Sequence, residues 1–150
     1  MSPETVFYLI HLPIIPAWLM LGFAPAWRWT DFYAHSIVVP MVLGLSYLWL
    51  LIQGLMGASA PGAGFSDLAS VMAIFDHPTG ALIGWSHYLV FDLFVGAWVA
   101  RDALRRGIGK WPVLPCIFFC GMFGPLGLVL YLGLRFAMGR GGWSLHEQGA

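Results

Sequence analysis

Four polar side chains lie within long apolar stretches of the sequence: His11, Gln53, His87 and Asp92. Because polar groups are costly in the hydrocarbon of a bilayer, each is a candidate functional residue. An apolar environment disfavours the charged carboxylate, so Asp92 can be a neutral proton donor at rest. An imidazole can accept and return a proton near neutral pH. These residue types therefore point to acid–base chemistry inside a membrane.

The composition agrees with a membrane location. Of the 150 residues, 59% are hydrophobic and 9% are charged, and the formal net charge is zero, whereas soluble domains carry about 25% charged residues. A disordered chain is excluded, and an ordinary soluble domain is disfavoured. Without a basic surplus to neutralise phosphates, nucleic-acid binding is not expected. Cys116 and Cys120 have no histidine nearby, so no metal site is expected.

Four segments are long and apolar enough to cross a bilayer as helices: about 5–24, 36–56, 80–100 and 112–136. Each reaches the roughly 20 residues that span about 30 Å of hydrocarbon. The sequence therefore predicts an all-α fold, a four-helix transmembrane bundle that forms a single membrane domain over residues 1–150.

The linker between the second and third spans predicts a further short helix. Four apolar residues recur there at helical spacing, and Ser66 precedes them as a candidate N-cap. They are Phe65, Leu68, Met72 and Phe75. A short helix with one apolar face is typical of a segment lying in the membrane interface, here on the outer face.

The distribution of Lys and Arg predicts the orientation. An even number of spans places both termini on one side of the membrane. The first and third linkers then share the other side and hold five basic residues, against two on the terminal side. By the positive-inside rule, the basic linker 101–111 is cytoplasmic and both termini are outside. The compact chain without a transit peptide favours a bacterial inner membrane, with the termini in the periplasm.

When the depth of each residue is counted along its predicted span, several polar residues fall at similar levels of the bundle. Asp92 lies near the midplane, and one further set lies in the outer half of the bundle: His11, Gln53, His87, Tyr131 and Arg135. The sequence thus predicts a polar pocket open to the outer side. His87 and Asp92 are five residues apart, which separates them by about 140° around a helix.

Several short motifs resemble those of a known membrane family: Phe75-x-x-Pro78, Trp85-x-His87, Asp92-Leu93-Phe94, Pro115-Cys116 and Phe123-Gly124-Pro125-x-Gly127. The stretch Pro13–Trp27 is similar as well. Together they resemble the abscisic-acid-deficient-four-like family, whose plant members are associated with neoxanthin formation from violaxanthin. The resemblance covers roughly Phe7 to Arg135, and its most specific part runs from Trp85 to Phe94.

The resemblance implies a four-helix integral membrane protein of carotenoid metabolism. It supplies no catalytic residues, so we assign roles from the chemistry. Converting an epoxide end group into an allene is an isomerisation that needs an acid and a base and no redox cofactor. Asp92 is the expected acid and His87 the expected base. The residues expected to bind the substrate are Trp18, Gln53, Trp85, Tyr88, Tyr131 and Arg135.

Other functions remain open from the sequence. A non-enzymatic subunit of a larger membrane complex, or a homo-oligomer, could bind a carotenoid or chlorophyll through the abundant aromatic residues. A b-type haem protein could use His11 and His87, on parallel spans at similar depth, as axial ligands. A small transporter or proton channel has only Asp92 in its favour. The expected partners in all cases are the bilayer and a carotenoid or other isoprenoid lipid.

Overall fold

The computed structural model describes residues 1–145, and all regular secondary structure within that range is α-helical. This confirms the predicted all-α class. Seven helices follow one another along the described chain: α1 (Pro3–Phe23), α2 (Arg28–Tyr33), α3 (Val38–Leu55), α4 (Leu68–Phe75), α5 (Pro78–Arg105), α6 (Lys110–Phe123) and α7 (Pro125–Ala137).

Three helical stretches in the described part of the chain are long and apolar enough to cross a membrane: Pro3–Phe23, Arg28–Leu55 and Pro78–Arg105. The first three predicted spans are therefore helices at the expected places. Pro13 and Pro16 do not divide α1. α5 is longer than predicted: it begins at Pro78, since a proline is tolerated in the first turn, and continues to Arg105.

These three stretches pack side by side, and α1 and α3 both contact α5. α1 runs parallel to α5, since His11 contacts Trp85 and, further along, Trp18 contacts Gly96. α3 runs antiparallel to both, and its last turn brings Gly54 against Ile83 near the beginning of α5. We call the end of the bundle where α1 and α5 begin the N-terminal end, and the opposite end, where both helices finish, the basic end.

The prediction of a fourth spanning helix over 112–136 is wrong. α6 and α7 form an antiparallel hairpin, so that a Cβ added to Gly127 would lie 2.5 Å from the carbonyl oxygen of Cys116, eleven residues earlier. α6 starts at the basic end, where Lys110 Nζ donates to the Phe23 carbonyl oxygen at 3.3 Å. The hairpin turns beside Asp92, and α7 returns toward the end of α5.

The turn has a local cause in Gly124 and Pro125. Gly124 has φ +50° and ψ −97°, a backbone conformation that is strained for residues with a side chain. Pro125 cannot donate the N–H that would continue α6, but it is well suited to the first turn of a new helix. With 14 and 13 residues, each arm is about 20 Å long, which is less than a bilayer core of about 30 Å. The sequence alone predicts a kink here.

The hairpin also changes the relation between the two ends of the chain. Arg106, just after α5, donates from Nη1 to the carbonyl oxygen of Arg140 at 2.9 Å. The described residues beyond α7 therefore lie at the basic end, opposite Pro3. The two ends of the described chain thus lie at opposite ends of the bundle, which does not fit the expectation that both termini share one side of the membrane.

The short helix between the second and third long segments is confirmed as α4. Its N-cap is Asp67 and not Ser66, and the Asp67 carboxylate accepts from the backbone N–H of Ser70 at 2.8 Å in a capping box. α4 packs on the first turns of α5, where Gly80 lies against the carbonyl group of Ile74. A side chain at Gly80 would collide with that backbone, so the glycine permits the close approach.

Candidate functional site

Asp92 lies at the tip of the α6–α7 hairpin and is 7% exposed. A Cβ added to Gly124 would collide with its carboxyl oxygen Oδ1, so the carboxyl group rests directly on the glycine of the turn. Its other oxygen, Oδ2, is buried and has no hydrogen-bond partner among the described residues. A buried polar atom without a partner is rare and marks a candidate site.

Asp92 lies beside the point where two helix ends meet. A helix end leaves backbone N–H or C=O groups unpaired, and the hydrocarbon core offers no water to satisfy them. The hairpin brings the end of α6 and the beginning of α7 together beside Asp92. Asp92 therefore lies beside both of these helix ends, and its Oδ2 atom has no hydrogen-bond partner within the described chain.

An aromatic wall leads from Asp92 toward the N-terminal end. The Trp85 indole stacks on Tyr88, with ring centroids 5.5 Å apart, and its Nε1–H donates to His11 Nε2 at 3.2 Å. His11 Nδ1 pairs with the Phe7 carbonyl oxygen at 2.6 Å, which requires a proton on Nδ1 and leaves Nε2 as the acceptor. Tyr88 lies one turn before Asp92 and interacts with its carboxyl group.

Two grooves adjoin this wall and the tip. One, of about 370 Å³, lies between the first turns of α1 and α5 and is lined by Glu4, Phe7 and Trp85 among others. The other, of about 530 Å³, is an apolar groove between α1 and α6. Trp18 lines it and inserts its indole between Gly96 and Gly121, one turn from Asp92. Both volumes fall in the range of about 300–1,000 Å³ of small-molecule sites.

His87 and Gln53 do not join this site. His87 is exposed on another face of α5, with its ring 5.9 Å from Tyr47 and 4.7 Å from Phe91. Gln53 is exposed near the end of α3. His11 contacts Trp85, which lies about 200° from His87 around α5. The two imidazoles therefore do not face each other, and the arrangement does not fit a haem held between His11 and His87.

A comparison with known protein families shows to which family the chain belongs. A family model described as ABA DEFICIENT 4-like matches residues 5–131. The chain belongs to the ABA4-like family. No curated protein and no solved structure matches it at a significant level. The matched region of this ABA4-like protein includes Asp92, the aromatic wall and the hairpin tip. Its described residues contain no group of three or more His, Cys, Asp or Glu side chains able to hold a metal ion.

Tyr131 and Arg135 of the ABA4-like protein lie at the basic end, away from His11. The Asp102 carboxylate oxygen Oδ2 accepts from Tyr131 Oη at 2.6 Å, Arg106 Nε at 2.7 Å and Arg135 Nη1 at 3.0 Å. Asp102 and Arg135 are 1% and 2% exposed. Tyr131 and Arg135 therefore do not join His11 as predicted, because α7 runs in the opposite direction to a fourth span. We call these four residues the basic-end network.

Asp102 is the residue that sequence reasoning missed. One signal was present, since Arg106 follows it at the i, i+4 spacing that favours an ion pair on a helix. Arg135 also donates to the carbonyl oxygens of Gly142 at 2.7 Å and Ser144 at 3.0 Å. The network thus ties α5, α7 and the following residues together, and its role is to hold the returning arm of the hairpin.

Proposed function

We propose that this ABA4-like protein is a membrane enzyme that isomerises an end group of a carotenoid without a cofactor, with Asp92 as the acid. The observation that carries the proposal is the buried, unpartnered Asp92 oxygen at the hairpin tip. Family membership and the apolar helices fit a membrane protein of a carotenoid-related pathway. Perturbed carboxyl groups beside a cleft are common at active sites.

One carboxyl group can carry out both proton transfers. Protonated Asp92 donates its proton to the epoxide oxygen, one C–O bond of the epoxide breaks, and the oxygen remains as a hydroxyl on the other carbon. The resulting carboxylate then removes a proton from the carbon next to the cationic centre. The electron pair of that C–H bond forms the new double bond of the allene. Asp92 ends as it began, and no electron donor or acceptor is consumed.

This mechanism changes the role expected for His87. An acid and a base acting on one end group must lie within hydrogen-bond reach of it. His87 lies on another face of α5, so the geometry favours Asp92 in both steps. Under this proposal His87 is dispensable for turnover.

The apolar and aromatic surfaces suit the rest of the substrate. Trp18, Trp85 and Tyr88 offer flat rings on either side of the Asp92 level, and a conjugated polyene packs well against such faces. The apolar groove between α1 and α6, of about 530 Å³, offers room for part of the polyene chain. Gln53, Tyr131 and Arg135 lie elsewhere and have no direct part in binding under this proposal.

We further propose three spans and a re-entrant hairpin, with the basic end in the cytoplasm. All seven Lys and Arg residues lie at or near that end: Arg28, Arg101, Arg105, Arg106, Lys110, Arg135 and Arg140. The positive-inside rule then orients the protein more strongly than it does a four-span topology. The N-terminus is outside, the described residues after α7 are inside, and α4 lies in the outer interface.

The test is turnover of an epoxy-carotenoid by the protein in liposomes, followed by chromatography with absorbance detection. Asp92→Asn preserves the size of the side chain and its ability to hydrogen bond but removes the proton donor. We expect it to lose at least about 100-fold in rate, as for removal of a general acid, and to keep the helical circular dichroism spectrum of wild type. His87→Asn is the matched control and should retain wild-type turnover. Full turnover by Asp92→Asn refutes the mechanism.

A non-enzymatic pigment-binding subunit is the second candidate. The apolar groove between α1 and α6 favours it, because this groove can hold a polyene without any reaction at Asp92. The absorption spectrum of protein purified from a carotenoid-producing strain separates the two functions. A stoichiometric carotenoid that remains unchanged on incubation supports the carrier.

A further inference from the structure

A third groove, of about 570 Å³, lies on the opposite side of α5 from the hairpin. α3 and α5 form its walls, with Met41, Leu45 and Phe94 on its rim. Each of these rim side chains is more than half exposed. In a bilayer such side chains face hydrocarbon, so the groove opens sideways into the lipid.

The two ends of this groove differ in chemistry. Toward the midplane it is lined only by apolar residues. At the basic end it is lined by His35, Ser36 and Arg101. His35 Nε2 pairs with the Pro25 carbonyl oxygen at 3.1 Å, which fixes the imidazole beside the groove, and both Arg101 and Asp31 lie within electrostatic range of it. The groove therefore combines an apolar wall with a polar end that holds one arginine.

The wider surroundings add to this charge. All seven Lys and Arg residues lie at or near the basic end, whereas the acidic residues there in the described chain are Asp31 and Asp102. The Asp102 carboxylate is already paired within the basic-end network. The surplus positive charge favours an anionic ligand. Basic pockets between membrane helices on the cytoplasmic side are typical binding sites for anionic lipid headgroups.

We infer that this groove binds an anionic phospholipid, with the phosphate at Arg101 and an acyl chain along α3 and α5. Gly44 supports the inference, because it lines the groove and a Cβ added there would meet no atom within 4 Å. The missing side chain thus deepens the groove without serving any packing contact. The site is independent of the proposed isomerase, since Asp92 faces the hairpin.

The experiment compares phosphatidylglycerol with phosphatidylcholine of the same acyl chains. The full chain is stripped of lipid in detergent, titrated with either lipid in mixed micelles, and the bound lipid is counted by native mass spectrometry. We expect one phosphatidylglycerol to bind at least about fivefold more tightly than phosphatidylcholine. We also expect Arg101→Gln to lose about that factor, the effect of one cation near an anionic lipid surface.

Two matched controls separate a groove from diffuse attraction. Arg105→Gln removes the same charge from the same end outside the groove and should keep the preference. Gly44→Phe fills the groove and should abolish tight binding, whereas Gly133→Phe, at an equally open glycine on α7, should not. If Arg101→Gln lowers the melting temperature without lipid, the Gly44→Phe result decides the question. Equal binding of both lipids, equal losses for the two arginine variants, or unchanged binding by Gly44→Phe overturns the inference.

Discussion

The basic-end network allows a quantitative test of the hairpin. Asp102 accepts three hydrogen bonds within 3.0 Å, and its partners Tyr131 and Arg135 are 0% and 2% exposed. Asp102→Ala leaves the Arg135 guanidinium buried without its counter-ion. Removing one partner of a buried pair costs about 3–5 kcal/mol of unfolding free energy. Tyr131→Phe removes one hydrogen bond and keeps the ring, so about 1–2 kcal/mol is expected.

A weaker contact of the same carboxylate serves as the control. Arg105 Nη2 lies 3.5 Å from Asp102 Oδ1, and its side chain is 30% exposed. Because partly exposed ion pairs contribute at most about 1 kcal/mol, we expect Arg105→Gln to have little effect. Unfolding free energies are measured in mixed micelles by denaturant titration, with circular dichroism and tryptophan fluorescence as independent probes.

A double-mutant cycle between Asp102 and Arg135 then decides between a hairpin and a straight fourth span. In the hairpin the two side chains touch, and contacting residues couple by about 0.5–3 kcal/mol. A straight helix over 112–136 would carry Arg135 to the other end of the bundle, about 30 Å away, where coupling vanishes. Additive effects of Asp102→Asn and Arg135→Gln would therefore refute the hairpin and the topology derived from it.

Three further predictions concern the packing of the hairpin, the topology of the chain and the cap of α4. Gly127→Ala should destabilise the protein by about 1–3 kcal/mol, the usual cost of overpacking, because its Cβ would collide with the backbone of α6. Gly133→Ala should be neutral, since a Cβ there meets no atom within 4 Å. Thermal unfolding of the two variants measures the difference. Topology reporters fused to either end of the chain should report opposite sides of the membrane, and the same side would contradict the three-span arrangement. The hydrogen bond from the Ser70 backbone N–H lowers the pKa of Asp67. Its cap therefore stabilises α4 at neutral pH, and this stabilisation is lost as the pH falls through that lowered value. The protection factors of the α4 amides, which correct for the intrinsic pH dependence of exchange, should then fall. Asp67→Ala should show low protection already at pH 7, and unchanged protection in that variant would contradict the assignment.

The candidate site was predictable in part. An aspartate within an apolar segment is a strong signal because burying it is costly, and Trp85 and Tyr88 lie on the same side of α5 as Asp92, as predicted. The roles expected for Gln53, Tyr131 and Arg135 depended on depths counted along four straight spans. Once one of those spans turned back, the residues on α7 moved to the other end of the bundle.

His11 shows a different limit. Its type and depth suggested either a haem ligand or part of a polar pocket, but helical spacing does not specify how α1 is rotated about its own axis. The structure turns His11 toward Trp85, and the hydrogen bonds to both ring nitrogens make it part of the aromatic wall. The rotation of one helix against another depends on contacts distant in sequence, so a single sequence does not determine it.

Local patterns in the sequence predict the all-α class, the first three long apolar helices, the short helix α4, and an aspartate within the third long helix. These follow from hydropathy and helical periodicity, which are local properties. Whether 112–136 forms one long helix or a hairpin depends on tertiary contacts, because hydropathy is the same for both arrangements. The decision rests on close contact between Gly127 and the α6 backbone and on Arg135 reaching Asp102. Both contacts join residues that no local pattern pairs.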